Sequence, residues 1–113
     1  MIIDVRPSPL RYKRYRATIL KHNGASGSDS QAELLKIDFG LKGGSTYIDG
    51  DRSNKERENY LKRHLANKKE NELINNLIPS PSLLSAYLLW GPTRNLEKNV
   101  NELNLLWKSR AKK

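Results

Sequence analysis

The stretch "DGDRSNKERENYLKRH", Asp49 to His64, brings two aspartates, two glutamates, a histidine and several basic side chains into sixteen positions. Three kinds of chemistry fit such a set. As a calcium loop, Asp49, Asp51 and Ser53 match the first, third and fifth positions of an EF-hand. The glycine needed at the sixth position is Asn54, and the bidentate glutamate needed at the twelfth is Tyr60. As a metal-dependent nuclease centre, Asp49, Asp51, Glu56 and His64 would have to converge on a pair of ions. Glu56, however, is claimed by Ser53-Asn54-Lys55-Glu56, a capping box in which serine and glutamate satisfy the free amides of a starting helix. His64 shares a helical face with Tyr60, Leu61 and Leu65, the setting of a packed, hydrogen-bonded histidine. The third reading is structural. Asp49 and Asp51 favour a turn and place negative charge ahead of a helix N-terminus. Arg57 and Arg63 are then expected to pair with those aspartates, or with Glu70 and Glu72. A loop-to-helix joint is the expectation.

Elsewhere no nucleophile–base pairing stands out. Gly40, Gly43 and Gly44 lack the Lys-Ser/Thr that follows a phosphate-cradling loop. No catalytic, cofactor or metal site is implied, and the expectation is a protein without enzymatic activity.

The elements that must position these residues follow from pattern. One domain is expected from 113 residues, with a modest core, since only 36% are hydrophobic and mean hydropathy is -0.77. The absence of cysteine excludes a disulfide-stapled scaffold. The apolar run Leu83 to Trp90 is far shorter than a membrane span, and "MIIDVRPSPL" is too short for a signal-peptide core. Pro7 and Pro9 suggest an extended arm over residues 1–10. A β-hairpin is expected over 11–48, its strands "RYKRYRATILKH" and "AELLKIDFG" joined by "NGASGSDSQ", with "STYIDG" adding a short extended piece. Helices are expected over 53–78, with a break near Asn71, and over 81–90, where Ser80 caps, Pro81 opens and Gly91-Pro92 closes. A last helix over 95–110, capped by Thr93 or Asn95, carries Leu96, Val100, Leu103 and Trp107 on one face. The fold class is α+β.

"FG" at Phe39-Gly40, then "YIDGD", "ERENYLKRH" and "SAYLLWGPT", form an ordered set across residues 15 to 100. It resembles a family of small uncharacterised proteins encoded by nucleocytoplasmic large DNA viruses. The matching positions are Phe39, Gly40, Tyr47, Asp49, Asp51, Arg57, Tyr60, Arg63, His64, Leu89, Trp90, Pro92 and Thr93. The resemblance departs in the loop from Ile48 to Arg52, which lacks a histidine usual in that pattern. It implies a viral origin rather than a mechanism.

A formal charge of +9 implies attraction to polyanions. "RYKRYR" is the best nucleic-acid candidate: Arg11, Lys13, Arg14 and Arg16 would neutralise phosphate while Tyr12 and Tyr15 stack on bases. Lys68, Lys69, Lys108, Arg110, Lys112 and Lys113 would extend that surface. Alternatively the tyrosines pack on the core, or the charges meet acidic neighbours. Two expectations follow. One is a virion structural protein, a minor capsid or cement-like component that touches other virion proteins and, during infection, is found in host cytoplasm or nucleus. The other is a nonspecific nucleic-acid-binding protein used in viral DNA packaging or processing. The oligomeric state is open on either.

Overall fold

The computed structural model describes residues 1–21, 33–50 and 52–111. His22, Asp51, Lys112 and Lys113 lie outside them. The architecture is α+β: a three-stranded antiparallel sheet followed by helices. The strands β1 (Ile2–Pro7), β2 (Lys13–Lys21) and β3 (Glu33–Leu41) lie side by side in that order. Between β2 and β3, Tyr15 stands opposite Phe39, Ala17 opposite Ile37 and Ile19 opposite Leu35. Because side chains alternate along a strand, this register puts one apolar row on the inner face. Ala17, Ile19 and Phe39 are buried there, with Tyr15 and Ile37 packed beside them.

The N-terminal segment corrects the expectation of an arm. Residues 2–7 are extended, as the prolines require, but they form β1, with Val5 opposite Ala17 and Arg6 opposite Arg16. Ile2 is 3% exposed and belongs to the core. Pro7, at the end of β1, is placed where a missing amide costs the ladder little. The outer edge of β1 is blocked at its first residue from another element. Asn104 accepts from the Ile2 amide at 2.7 Å and donates to the Ile2 carbonyl at 3.0 Å, as a neighbouring strand would.

"STYIDG" is a 3-10 turn, Tyr47–Asp49, rather than an extended piece. Gly50 leaves it at φ 89°, a left-handed conformation that suits glycine. The helix expected over 53–78 is two helices, α1 (Asn54–Ala66) and α2 (Lys68–Asn75). Asn67, not Asn71, divides them: its side chain accepts from the Glu70 amide and starts α2. Asn71 reinforces the break by donating to the Leu65 carbonyl at 2.9 Å. The Ser53–Glu56 capping box opens α1 as expected. α3 (Pro81–Leu84), capped by Ser80, runs on into a π-helical turn over Ser85–Leu89. Leu83, Leu84, Leu88 and Leu89 are all at most 2% exposed, so this segment is the centre of the core. α4 (Leu96–Ala111) is capped by Asn95 and closes the domain with Leu103 fully buried. Trp107 packs beside it and donates to the Leu77 carbonyl at 2.8 Å.

Since β1 is part of the core, removal of residues 1–10 is expected to abolish cooperative unfolding. Ile2→Ala should lower stability by about 2–4 kcal/mol in chemical denaturation, the cost of an emptied core site.

Candidate docking cleft

Residues of the opening motif surround an open cleft of about 1150 Å³. One wall is the end of β3 and the loop through Thr46; the other walls are α1, the start of α2 and the α3 segment. Its floor is aromatic. The Tyr60 ring lies flat on Trp90, with centroids 4.3 Å apart and planes 8° apart, and touches His64 at 4.2 Å. Helical spacing sets this row, because Tyr60 and His64 are one turn apart on α1. Burial pushes the Tyr60 hydroxyl up from its ordinary value, with Glu70 adding to the rise.

His64 Nδ1 lies 2.9 Å from Glu70 Oε1, and Ser82 Oγ donates to the same oxygen at 3.3 Å. Serine, glutamate and histidine side by side invite comparison with an acyl-transfer triad. In such a triad the histidine sits between nucleophile and carboxylate. Here the carboxylate is in the middle, so the histidine is not set against the serine as that arrangement requires. Among the described residues no three His, Asp or Glu side chains gather as metal ligands.

Two guanidinium groups hold the surrounding structure. Arg14 reaches from β2 to Asp49 with two hydrogen bonds, at 2.9 and 2.5 Å. Asp49 also accepts from the Thr46 amide and hydroxyl at 2.7 and 2.9 Å. Arg14 above all, assisted by Thr46, holds the Asp49 carboxyl well below the usual carboxylate range against the opposing effect of burial. The expected partners of Arg57 are a correction. Its Nε donates to the carbonyls of Trp90 at 3.0 Å and Gly91 at 2.7 Å, where the helix end leaves acceptors facing inward. Its guanidinium also lies 5.7 Å from the Tyr47 ring centre. Arg63, on the cleft wall, makes no salt bridge among the described residues.

"RYKRYR" is divided among several tasks. Arg16 grips Asp38 on β3 at 2.9 and 3.0 Å, and Ser8 donates to the same carboxylate at 2.6 Å. Tyr15 packs against Phe39, its ring 5.9 Å away, with the Arg14 guanidinium 5.1 Å from the Tyr15 ring centre. Tyr12 is 70% exposed, with Arg11 beside its ring, and Lys13 lines the cleft. Lys68 and Lys69 are exposed at the start of α2 and are not part of the cleft.

Sequence reasoning passed over Asn99. It is fully buried, and all four of its hydrogen-bonding positions are used. Its amide donates to the Leu88 and Thr93 carbonyls, and its oxygen accepts from the Thr93 amide and hydroxyl. The available signal was a polar residue on the apolar stripe Leu96–Val100–Leu103. Thr93 owes its place to this network. Gly91 does too, because a Cβ there would run into the Tyr87 carbonyl and the Asn99 amide.

Residues 3–64 match the pattern of a family described as a family of unknown function, DUF5754. This chain belongs to DUF5754. The matched span covers more than half of the 113 residues, from β1 to His64. The family pattern therefore takes in the sheet except Ile2, the 3-10 turn and the His64 end of the cleft, and stops ahead of Trp90. No curated protein and no solved structure matches the chain.

Asp49→Asn tests the clip beside the cleft. A carboxyl whose pKa is lower in the folded than in the unfolded state adds stability above its unfolded pKa, about 3.9, and loses it as pH falls toward the folded value. The variant is expected to be less stable than wild type at pH 7, by about 1 kcal/mol after allowing for solvent screening. The difference should narrow as pH falls below about 4 and close only as pH approaches the depressed folded-state value, as thermal unfolding across a pH series would report.

Proposed function

We propose that this protein is a non-enzymatic structural component of a virus particle, of the minor capsid or cement type, that works by docking onto larger neighbours. One observation carries the reading. At the end of the sheet the chain commits two arginines to its own carboxylates and leaves apolar side chains exposed. Arg14 and Arg16 are spent on Asp49 and Asp38, whereas Leu10, Tyr12 and Leu41 are 47%, 70% and 67% exposed. Those three are neighbours: the Lys13 amide bonds the Leu10 carbonyl, Lys13 faces Leu41 across the ladder, and the Lys42 amide bonds the Tyr12 carbonyl. Exposed apolar side chains at adjoining backbone positions, with Tyr12 and Leu41 lining an open cleft, are what a protein partner covers. The resemblance to proteins of nucleocytoplasmic large DNA viruses supports a particle as the setting, with host cytoplasm or nucleus as its place during infection. No described helix is long and apolar enough to cross a membrane.

A second reading has its own support. Lys13, Lys62 and Arg63 line the cleft without a salt bridge among the described residues, and Tyr12 stands among them. Such a surface suits nonspecific binding of nucleic acid.

DNA affinity across a salt series separates the two. The docking reading expects binding to disappear by about 0.15 M salt, where the Debye length is near 8 Å. Tight binding that persists there, with a slope reporting several neutralised phosphates, would establish the second reading instead. On the docking reading, Tyr12→Ser with Leu41→Ser should leave the melting temperature near wild type and reduce incorporation into particles.

A further inference from the structure

The sheet has two edges, and the chain treats them differently. The β1 edge is blocked at Ile2 by Asn104. β3 is also an edge strand, and no described strand pairs with its outer side. Leu34, Leu35 and Lys36 are exposed along it. An edge of this kind is a template for another strand. The question is which strand fits.

We propose that β3 pairs antiparallel with β3 of a second copy of this chain, joining two three-stranded sheets into one of six strands. The register follows from symmetry and charge. A two-fold axis perpendicular to the sheet must pass through a residue position, since only then do side chains opposite each other lie on the same face. Centring the pair on Lys36 sets lysine against lysine, and centring it on Asp38 sets aspartate against aspartate. Centring it on Ile37 places Lys36 opposite the second copy's Asp38, and Asp38 opposite the second copy's Lys36. Both residues lie on the outer face, where Asp38 is already opposite Arg16 and Lys36 opposite Thr18. Each Asp38 then stands in a row between two cations, one from its own sheet and one from the other copy. On the inner face the same register puts Ile37 beside Ile37 and the exposed Leu35 beside Phe39, so apolar side chains meet apolar ones. Like charges directly opposite oppose pairing and unlike charges favour it, so one register is selected over its neighbours.

This inference does not rest on the virion reading and stands or falls by solution measurements alone. Sedimentation velocity of the full chain over a concentration series is expected to show a monomer–dimer equilibrium. Lys36→Glu, at an exposed position, should weaken the dimer about tenfold or more, because the contact occurs twice in the interface. Circular dichroism should show the fold unchanged in that variant. The chain has no cysteine, so Ile37→Cys can form only an intermolecular disulfide. It should crosslink under mild oxidation, and Leu34→Cys, far from its symmetry mate in this register, should not. A wild-type chain that stays monomeric overturns the proposal. So does a dimer indifferent to Lys36→Glu, or one that crosslinks through Leu34→Cys in place of Ile37→Cys.

Discussion

Between the π-helical turn and α4 the chain reverses through the core, and it carries backbone carbonyls inward with it. A buried carbonyl without a donor is costly, and this requirement organises the helical half of the molecule. Arg57 serves Trp90 and Gly91, and Asn99 serves Leu88 and Thr93. Arg57 comes from α1 and Asn99 from α4, so satisfying the reversal draws both helices to the same place. The stack of Tyr60 on Trp90 follows, because α1 is anchored at Arg57 one turn earlier. A core with no more apolar content than this one gains from polar groups that fix where helices meet.

The sheet half uses arginine in a related way. Arg16 ties β2 to β3 through Asp38, Arg14 ties β2 to the 3-10 turn through Asp49, and Arg94 donates to the carbonyls of Tyr47 at 3.1 Å and Arg52 at 2.7 Å. Planar guanidinium groups suit such work, since they present paired donors in a fixed fork. A net charge of +9 is therefore a poor measure of how much positive surface remains for a ligand. Much of the arginine is internal scaffolding, and among the described residues no lysine takes part in a salt bridge.

Much of the architecture was legible because its signals are local. Ser53 with Glu56, Ser80 with Pro81, and Asn95 start their helices as their residue types predict, and Ile37 and Phe39 alternate inward along β3. What was missed depends on distant partners. The first ten residues look like an arm because Pro7, Pro9 and the charges weaken the strand pattern, and only Asn104 and β2 make them a strand. The break at Asn67 is hidden because apolar residues recur at helical spacing on both sides of it. The site was legible in its membership but not in its wiring. Tyr60, Arg63, His64 and Trp90 do gather at one cleft, whereas the partner of Arg57 is a pair of carbonyls that no residue type announces. Asp51 lies outside the described residues, so the opening motif is accounted for around it.

The closure of β1 by Asn104 has a consequence for assembly as a process. A sheet with both edges open can polymerise, each added molecule presenting a fresh end to the next. A single side-chain amide from α4 takes up the outward backbone groups of Ile2, where an added strand would begin to pair. Were the β3 edges of two copies to pair, a stop of this kind at the far edge would favour an association that saturates over one that propagates.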